Sequence, residues 1–360
     1  MSSLLFEPFQ LGALSLRNRI VMAPLTRCRA TAGHVPTELM AMYYAQRASA
    51  GLIITEGTSP SENGLGYARI PGLFNSAHAT AWRTITQGVQ ERGGRMFVQL
   101  MHTGRVSHPL NLPAGARLLG PSAIGLSGTM WTDQEGLQPY PVPTAMTPAD
   151  IEQAIEEYAA SAALSVEAGF DGVELHGANG YLIDQFLNTA SNQRTDRWGG
   201  SIENRARFAL AVAAAVVSRI GAGHTGIRLS PYGVFNDMQP DADMEALYAY
   251  LAAELSKLGL AYIHIVDHQA MGAPEVPTSV KSVIRNAFRG AVILSGGYDR
   301  ARAEADLNAN KGDLVAFGRL FIANPDLVRR LENGTVLAQP DPDSFYTPGE
   351  KGYIDYPAAA

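Results

Sequence analysis

The sequence predicts an α/β protein built as one (β/α)8 TIM barrel with a long lid-type insertion after the third strand. Three observations carry this. Roughly eight short apolar stretches alternate with helical ones along 360 residues, as that fold requires. Polar residues recur at the C-terminal end of one stretch after another, where such a barrel gathers its site. No G-x-G-x-x-G turn follows the first stretch, which weighs against a doubly wound sheet, the other fold that alternates in this way.

The chain opens on an amphipathic segment able to form a hairpin. Arg19 to Leu25 (RIVMAPL) then reads as the first strand, and Thr37 caps a helix that ends near Gly51. Leu52 to Thr58 (LIITEGT) is a β-branched second strand, Ala77 to Arg92 a helix, and Arg95 to His102 the third strand, with Gln99 inside an apolar run. Thr103 to Met146 differs in kind: it is rich in Pro and Gly and has no helical period. Loops of that length in compact domains serve as lids or binding loops.

Thr147 and Asp150 open an alanine-rich helix to about Glu167, which leads into Phe170 to Tyr181 (FDGVELHGANGY). There Val173 and Leu175 alternate with Glu174 and His176, so a carboxylate and an imidazole share one face of a strand. Burying both is costly without partners. Helices over Ser201 to Ile220, Asp243 to Lys257 and Ser279 to Phe288 separate strands over Thr225 to Pro231, Ala261 to His268 and Ala291 to Gly297. A helix from Asp299 precedes the last strand, Leu314 to Ile322, and another from Asn324 follows it. One domain over 1–360 is expected, with 103–146 as the lid and 334–360 as a tail over the pocket.

With 46% hydrophobic and 17% charged residues the chain can bury a large core, and a net charge of -6 offers no basic patch for nucleic acid or anionic membranes. The single cysteine, Cys28, excludes a disulfide framework and a protein-ligated iron–sulfur cluster; it reads as a small apolar filler. The opening residues have neither a basic segment nor a long apolar core, and the longest apolar run, Phe208 to Ser218, is too short for a bilayer. The expectation is a cytoplasmic protein, monomer or small homo-oligomer.

Two glycine turns, Ser295-Gly296-Gly297 and Phe317-Gly318-Arg319, follow the seventh and eighth strands, where this fold commonly binds phosphate. Arg319 adds a fixed positive charge. Arg228 on a strand needs an acceptor, which a flavin's N1 and O2 edge would supply, and Gln99 suits the N3–H of such a ring. Past the fourth strand, His176, Asn179 and Tyr181 leave one short loop in three directions.

Pro24-Leu25-Thr26, VQLMHTGR at 98–105, HGANGYL at 176–182, SNQRTDRWGGSIENR at 191–205 and the two glycine turns together resemble the old yellow enzyme family of FMN-dependent ene-reductases. The likeness runs along the whole chain and is greatest to the bacterial branch that includes N-ethylmaleimide reductase and pentaerythritol tetranitrate reductase. It implies an FMN-dependent reductase of activated alkenes that draws on NADPH or NADH. It further implies that Thr26 bonds the flavin O4, that Gln99 and Arg228 hold the pyrimidine edge, and that Ala23, Pro24 and Gly57 line the ring. Gly296, Gly297, Gly318 and Arg319 would take the phosphate. His176 and Asn179 would grip the substrate oxygen, Tyr181 would donate the proton, and Tyr67 and Tyr353 would line the substrate pocket. Met101 stands where close relatives often carry Trp, which reshapes that wall. Two other readings stay open: a metal site among His264, Asp267, His268, Glu174 and His176, and a barrel that binds flavin without catalysis.

Overall fold

The computed structural model describes residues 3–269 and 272–359. Among these, eight parallel strands close into a barrel in chain order: β1 (Ile20–Met22), β2 (Leu52–Thr58), β3 (Met96–Leu100), β4 (Gly172–Gly177), β5 (Thr225–Leu229), β6 (Tyr262–Val266), β7 (Ala291–Ser295) and β8 (Leu314–Phe317), the last pairing with β1. Helices connect them: α1 (Glu38–Gln46), α2 (Ser76–Gln90), α3 (Pro148–Glu167), α4 (Leu182–Leu187), α5 (Ile202–Ile220), α6 (Met244–Leu258), α7 (Thr278–Ala287), α8 (Arg300–Asn308), α9 (Arg319–Ala323) and α10 (Leu327–Asn333).

Local chemistry explains the boundaries. Thr147 and Asp150 form a reciprocal capping box at the start of α3, with Pro148 at the first helical position. Ser201 and Asp299 cap α5 and α8 with side-chain oxygens, as Asn75 caps α2. Every residue of β2, β3, β4, β5 and β6 is buried, as expected of parallel strands covered on both faces.

The apolar core has two layers. Val173 and Leu175 of β4 pack outward into the shell of helices, alongside Trp82, Phe186 and Phe208. Val21, Ile54, Phe97, Tyr262 and Ile293 fill the barrel itself. Its N-terminal end is plugged by the expected opening hairpin, Phe9–Leu11 paired with Leu14–Leu16, whose Leu11 and Leu16 join that inner cluster.

Two expectations need correcting. The eighth strand stops at Phe317, and Leu320 to Ile322 belong to α9 rather than to a strand. Gly318 breaks the chain at φ -97 and ψ -96, and α9 is only five residues long and buried at Phe321, Ile322 and Ala323, so its apolar run reads as a continuation of the strand. The 103–146 insertion is folded, with a hairpin of Thr129–Thr132 and Gly136–Pro139, and none of its residues lines the large cavity at the C-terminal end of the barrel. It braces the wall instead: Arg105 donates to the Asn236 carbonyl at 2.9 Å, and Ser127 donates to Asp237 through both its amide and its hydroxyl.

Candidate active site

The strand ends open into a cavity of about 480 Å³. Its lining brings together Ala23, Pro24 and Thr26 after β1, Gly57 on β2, Gln99 and Met101 at the end of β3, His176, Asn179 and Tyr181 after β4, and Arg228 on β5. Gly296 and Gly297 follow β7, Gly318 and Arg319 follow β8, and Tyr67 reaches in from the loop after β2.

The residues nearest the barrel axis are held from below. Glu174 accepts a hydrogen bond from Gln99 Nε2 at 2.8 Å and pairs with His264 Nδ1 at 2.9 Å, all three side chains being buried. Gln99 therefore has one donor committed, and its carbonyl remains for the cavity. Arg228 lies beside this group with its Nε buried and unpartnered, and burial pulls its guanidinium pKa down while Glu174 opposes the shift. His176 Nδ1 is likewise buried without a partner. Burial first, then the positive field of Arg228, holds this imidazole well below its ordinary value, so it is neutral at neutral pH.

Thr26, His176, Arg228 and Arg319 make no side-chain hydrogen bond to any described residue, yet all four face the one cavity. Thr26 is half-buried and Arg319 exposed, but His176 Nδ1 and Arg228 Nε are buried, and buried polar groups are ordinarily satisfied. A set left open together is a ligand seat.

The loop after β4 is fixed by its backbone. Asn179 sits in the left-handed region at φ 60, a conformation Asn tolerates. Its N–H donates to Ser230 Oγ at 2.8 Å, the Ser230 hydroxyl donates to Asp184 at 3.2 Å, and the Gly180 N–H donates to the same carboxylate oxygen at 2.8 Å. Asn236 Nδ2 donates to the Asn179 carbonyl, and the Asn179 amide oxygen lies 2.8 Å from His268 Nε2. Tyr181 then turns toward Tyr67, their hydroxyls 3.1 Å apart, and its ring meets that of His176 edge-on at 4.9 Å. Burial pushes the Tyr181 phenol up to about 12.

Gly57 and Gly296 are glycines for reasons of space. A Cβ on Gly57 would lie 2.5 Å from the Met101 sulfur, so the unbranched thioether runs directly along this strand end. Gly296 has φ 128, and a Cβ there would lie 2.1 Å from the Asp267 carbonyl oxygen. The helix ends nearby differ. Asp299 caps α8 with its own carboxylate, whereas α9 starts at Gly318 with no side-chain cap, leaving its first N–H groups beside Arg319. Open N–H groups, glycine backbone and an unspent guanidinium fit a phosphate. The unpartnered Arg228 and the free Gln99 carbonyl fit the edge of a flavin that offers both an acceptor and an N–H. The residues present thus match FMN.

Tyr353 does not line the cavity. It is buried, its ring stacked on Tyr43 at 4.1 Å and covered by the Arg29 guanidinium at 4.5 Å. Arg27 and Arg29 bind the carbonyls of Ser344, Phe345, Gly349, Lys351 and Gly352, which draws the tail inward at Tyr353 and leaves Phe345 and Tyr346 on the cavity wall. Sequence reasoning missed those two, and with them Phe235, Asn236 and Tyr298. The Phe345-Tyr346 pair, adjacent aromatics in a Pro- and Asp-rich tail, was the available signal.

The metal reading finds no support. Glu174 is paired with His264 Nδ1, Asp267 is paired with Lys281 at 2.6 Å, and among the described residues no three His, Cys, Asp or Glu side chains are grouped to hold an ion. Cys28 packs with Leu65, Ile70 and Met101, and burial raises its thiol to about 12, so it is an inert filler.

Residues 4–337 match the family described as "NADH:flavin oxidoreductase / NADH oxidase family". A "Probable flavin mononucleotide-dependent alkene reductase" of Leishmania infantum is 42% identical over 357 residues, 98% of this chain and 97% of that protein. The solved structure of morphinone reductase in complex with tetrahydroNAD superposes with a TM-score of 0.94 at 44% identity, covering 99% of this chain and 98% of the other. An old yellow enzyme homologue from Zymomonas mobilis superposes with a TM-score of 0.93 at 40% identity, covering 99% of each. At this extent of match the chain belongs to the NADH:flavin oxidoreductase family, and within it to the old yellow enzymes, the FMN-dependent reductases of activated C=C bonds.

Proposed function

We propose that the cavity takes FMN along its floor and that the enzyme reduces α,β-unsaturated ketones, aldehydes, imides and nitro compounds with NADPH or NADH, nicotinamide and alkene occupying one pocket in turn. The observation that carries this is the pair of buried side-chain atoms left without a hydrogen bond to any described residue, His176 Nδ1 and Arg228 Nε, around a single cavity that Thr26 and Arg319 also line.

When bound, FMN supplies hydride to the alkene β-carbon, which drives negative charge onto the carbonyl or nitro oxygen. Arg228 and Gln99 would hold the pyrimidine edge, Thr26 would bond O4, and Ala23, Pro24 and Gly57 would lie against the ring. Gly296, Gly297, Gly318 and Arg319 would bind the phosphate. Neutral His176 and the Asn179 amide nitrogen would donate to the substrate oxygen; a donor of this kind is typically worth about 3 kcal/mol at the transition state. Tyr181, protonated throughout the neutral range, would deliver the proton to the α-carbon. Tyr67, Met101, Phe345 and Tyr346 would shape the space around the alkene. The reading carries with it a cytoplasmic enzyme, where NAD(P)H is supplied, acting as a monomer or small homo-oligomer.

Anaerobic stopped-flow tests it. Flavin reduced by NAD(P)H should reoxidise on mixing with 2-cyclohexenone or N-ethylmaleimide; reduced flavin that no activated alkene reoxidises would overturn the reading.

A further inference from the structure

The donor role of Asn179 depends on which end of its amide faces the cavity, and among the described residues the amide pairs with one group, the His268 imidazole. Asn179 Oδ1 lies 2.8 Å from His268 Nε2 and has no other hydrogen-bond partner among them. An amide oxygen only accepts, so this orientation of the amide goes with the proton on Nε2, whereas the turned-over amide would go with the Nδ1–H tautomer. With the oxygen engaged in this way, both N–H groups of Nδ2 remain for the cavity. Turned over, the amide would aim its oxygen at the substrate oxygen, and two acceptors would repel.

The imidazole is itself held in place. His268 lines the cavity and is half-buried, its ring packed against Phe235 at 4.5 Å with the planes tilted by 60°. Burial, aided by the positive field of Arg228, lowers it to about 4, so the ring is neutral at working pH and has a single N–H to place. The Asn179 backbone is already pinned by Ser230 and Asn236. The side-chain amide is the remaining freedom, and His268 removes it.

The geometry points to His268 as a positioning residue that fixes the Asn179 amide with its N–H groups toward the substrate oxygen, and so sets affinity for oxygen-bearing alkenes. This rests on the functional reading above, in which Asn179 grips that oxygen. His268 acts at one remove; it donates to the amide, not to the substrate.

The test is a double-mutant cycle on the FMN-loaded enzyme, with 2-cyclohexenone binding read from the perturbed flavin spectrum of the oxidised protein and from KM. His268→Ala should weaken binding and raise KM by about tenfold, the scale of one net hydrogen bond, and should change kcat less. His268→Gln, which keeps an N–H donor, should restore affinity to within about threefold on the same scale. In an Asn179→Ala background, His268→Ala should add nothing. An equal loss in both backgrounds would mean the ring acts through packing on Phe235, and an unchanged affinity in the single variant would also overturn the proposal. Nitrogen-15 NMR of histidine-labelled holoenzyme, with the His268 signal identified by its loss in His268→Ala, is independent of any alkene: it should report the Nε2–H tautomer, and an Nδ1–H tautomer would refute the assignment. A wild-type enzyme that turns over no alkene yet shows the Nε2–H form would refute the functional reading alone.

Discussion

Buried arginines in two parts of this molecule are treated in opposite ways. Arg27, Arg29 and Arg47 lie under the C-terminal tail, and each guanidinium is surrounded by acceptors. Arg47 alone donates to the carbonyls of Tyr43, Phe321, Ile322 and Tyr353, with the Tyr43 ring 3.7 Å beneath it. Arg228, also buried, donates to no described residue. A buried cation with a full set of acceptors is scaffold, while one without them stores a cost that only a ligand can remove. The difference separates the clasp that shapes the pocket from the pocket itself.

The largest effects should divide along that line. Arg47→Met leaves several buried carbonyls without donors and should cost about 4 kcal/mol in urea unfolding. Arg228→Met in FMN-stripped protein should cost nothing or raise stability, because it replaces an unpaired guanidinium with an apolar chain, while FMN affinity measured by fluorescence falls steeply. Equal destabilisation of the stripped protein by both substitutions would erase the distinction.

Within the clasp, Glu56 gives a pH signature. It is fully buried, accepting from the Arg27 N–H and the Tyr44 hydroxyl, and burial lifts its carboxyl from 4.5 to about 7. Between those values the unfolded chain releases the proton and the folded one keeps it, so folded stability is present below pH 4.5 and declines as pH rises to about 7. The full span corresponds to about 3 kcal/mol. Glu56→Gln should remove this decline. The stability difference between wild type and variant, followed by urea titration from pH 4.5 to 8, should therefore shift with pH in the variant's favour; a constant difference would mean the carboxylate is already ionised throughout.

The same contrast explains what was legible in the sequence. Strands and helix starts were, because they depend on near neighbours: the β-branched run of β2, or the reciprocal bonds of Thr147 and Asp150. The alternation in β4 correctly set Glu174 and His176 apart from Val173 and Leu175. Their partners were not legible. Gln99 and His264 lie 75 and 90 residues from Glu174, and Gly352 reaches Arg27 across 325 positions. Tyr353 was misplaced for that reason, since its burial is decided by the two arginines and Tyr43, which no local pattern links to it. Leu320 to Ile322 differ in kind: a helix of five residues, Arg319 to Ala323, is too short for a helical period to emerge. Met101, read from the sequence as a reshaped wall, owes its position to the missing side chain at Gly57.

The smaller effects belong to the pocket, where Tyr181 and Tyr67 form a hydroxyl pair. Tyr181→Phe should slow flavin reoxidation by 2-cyclohexenone about a hundredfold, the lower end of what a positioned general acid supplies, and leave reduction by NAD(P)H nearly unchanged. Equal loss in both half-reactions would remove Tyr181 from the proton step. Tyr67→Phe takes away only the partner hydroxyl, 3.1 Å distant, and should cost about tenfold at most, the scale of one net hydrogen bond. That hydroxyl also favours the ionised form of Tyr181, against a larger burial effect that places the phenol at about 12. Alkene reduction in the wild type should therefore stay level from neutral pH through 10, where an ordinary tyrosine would already be losing its proton. A break in the profile near 10 would mean that the phenol is solvated, and that the pocket wall formed by Phe345, Tyr346 and Tyr67 does not exclude water from it.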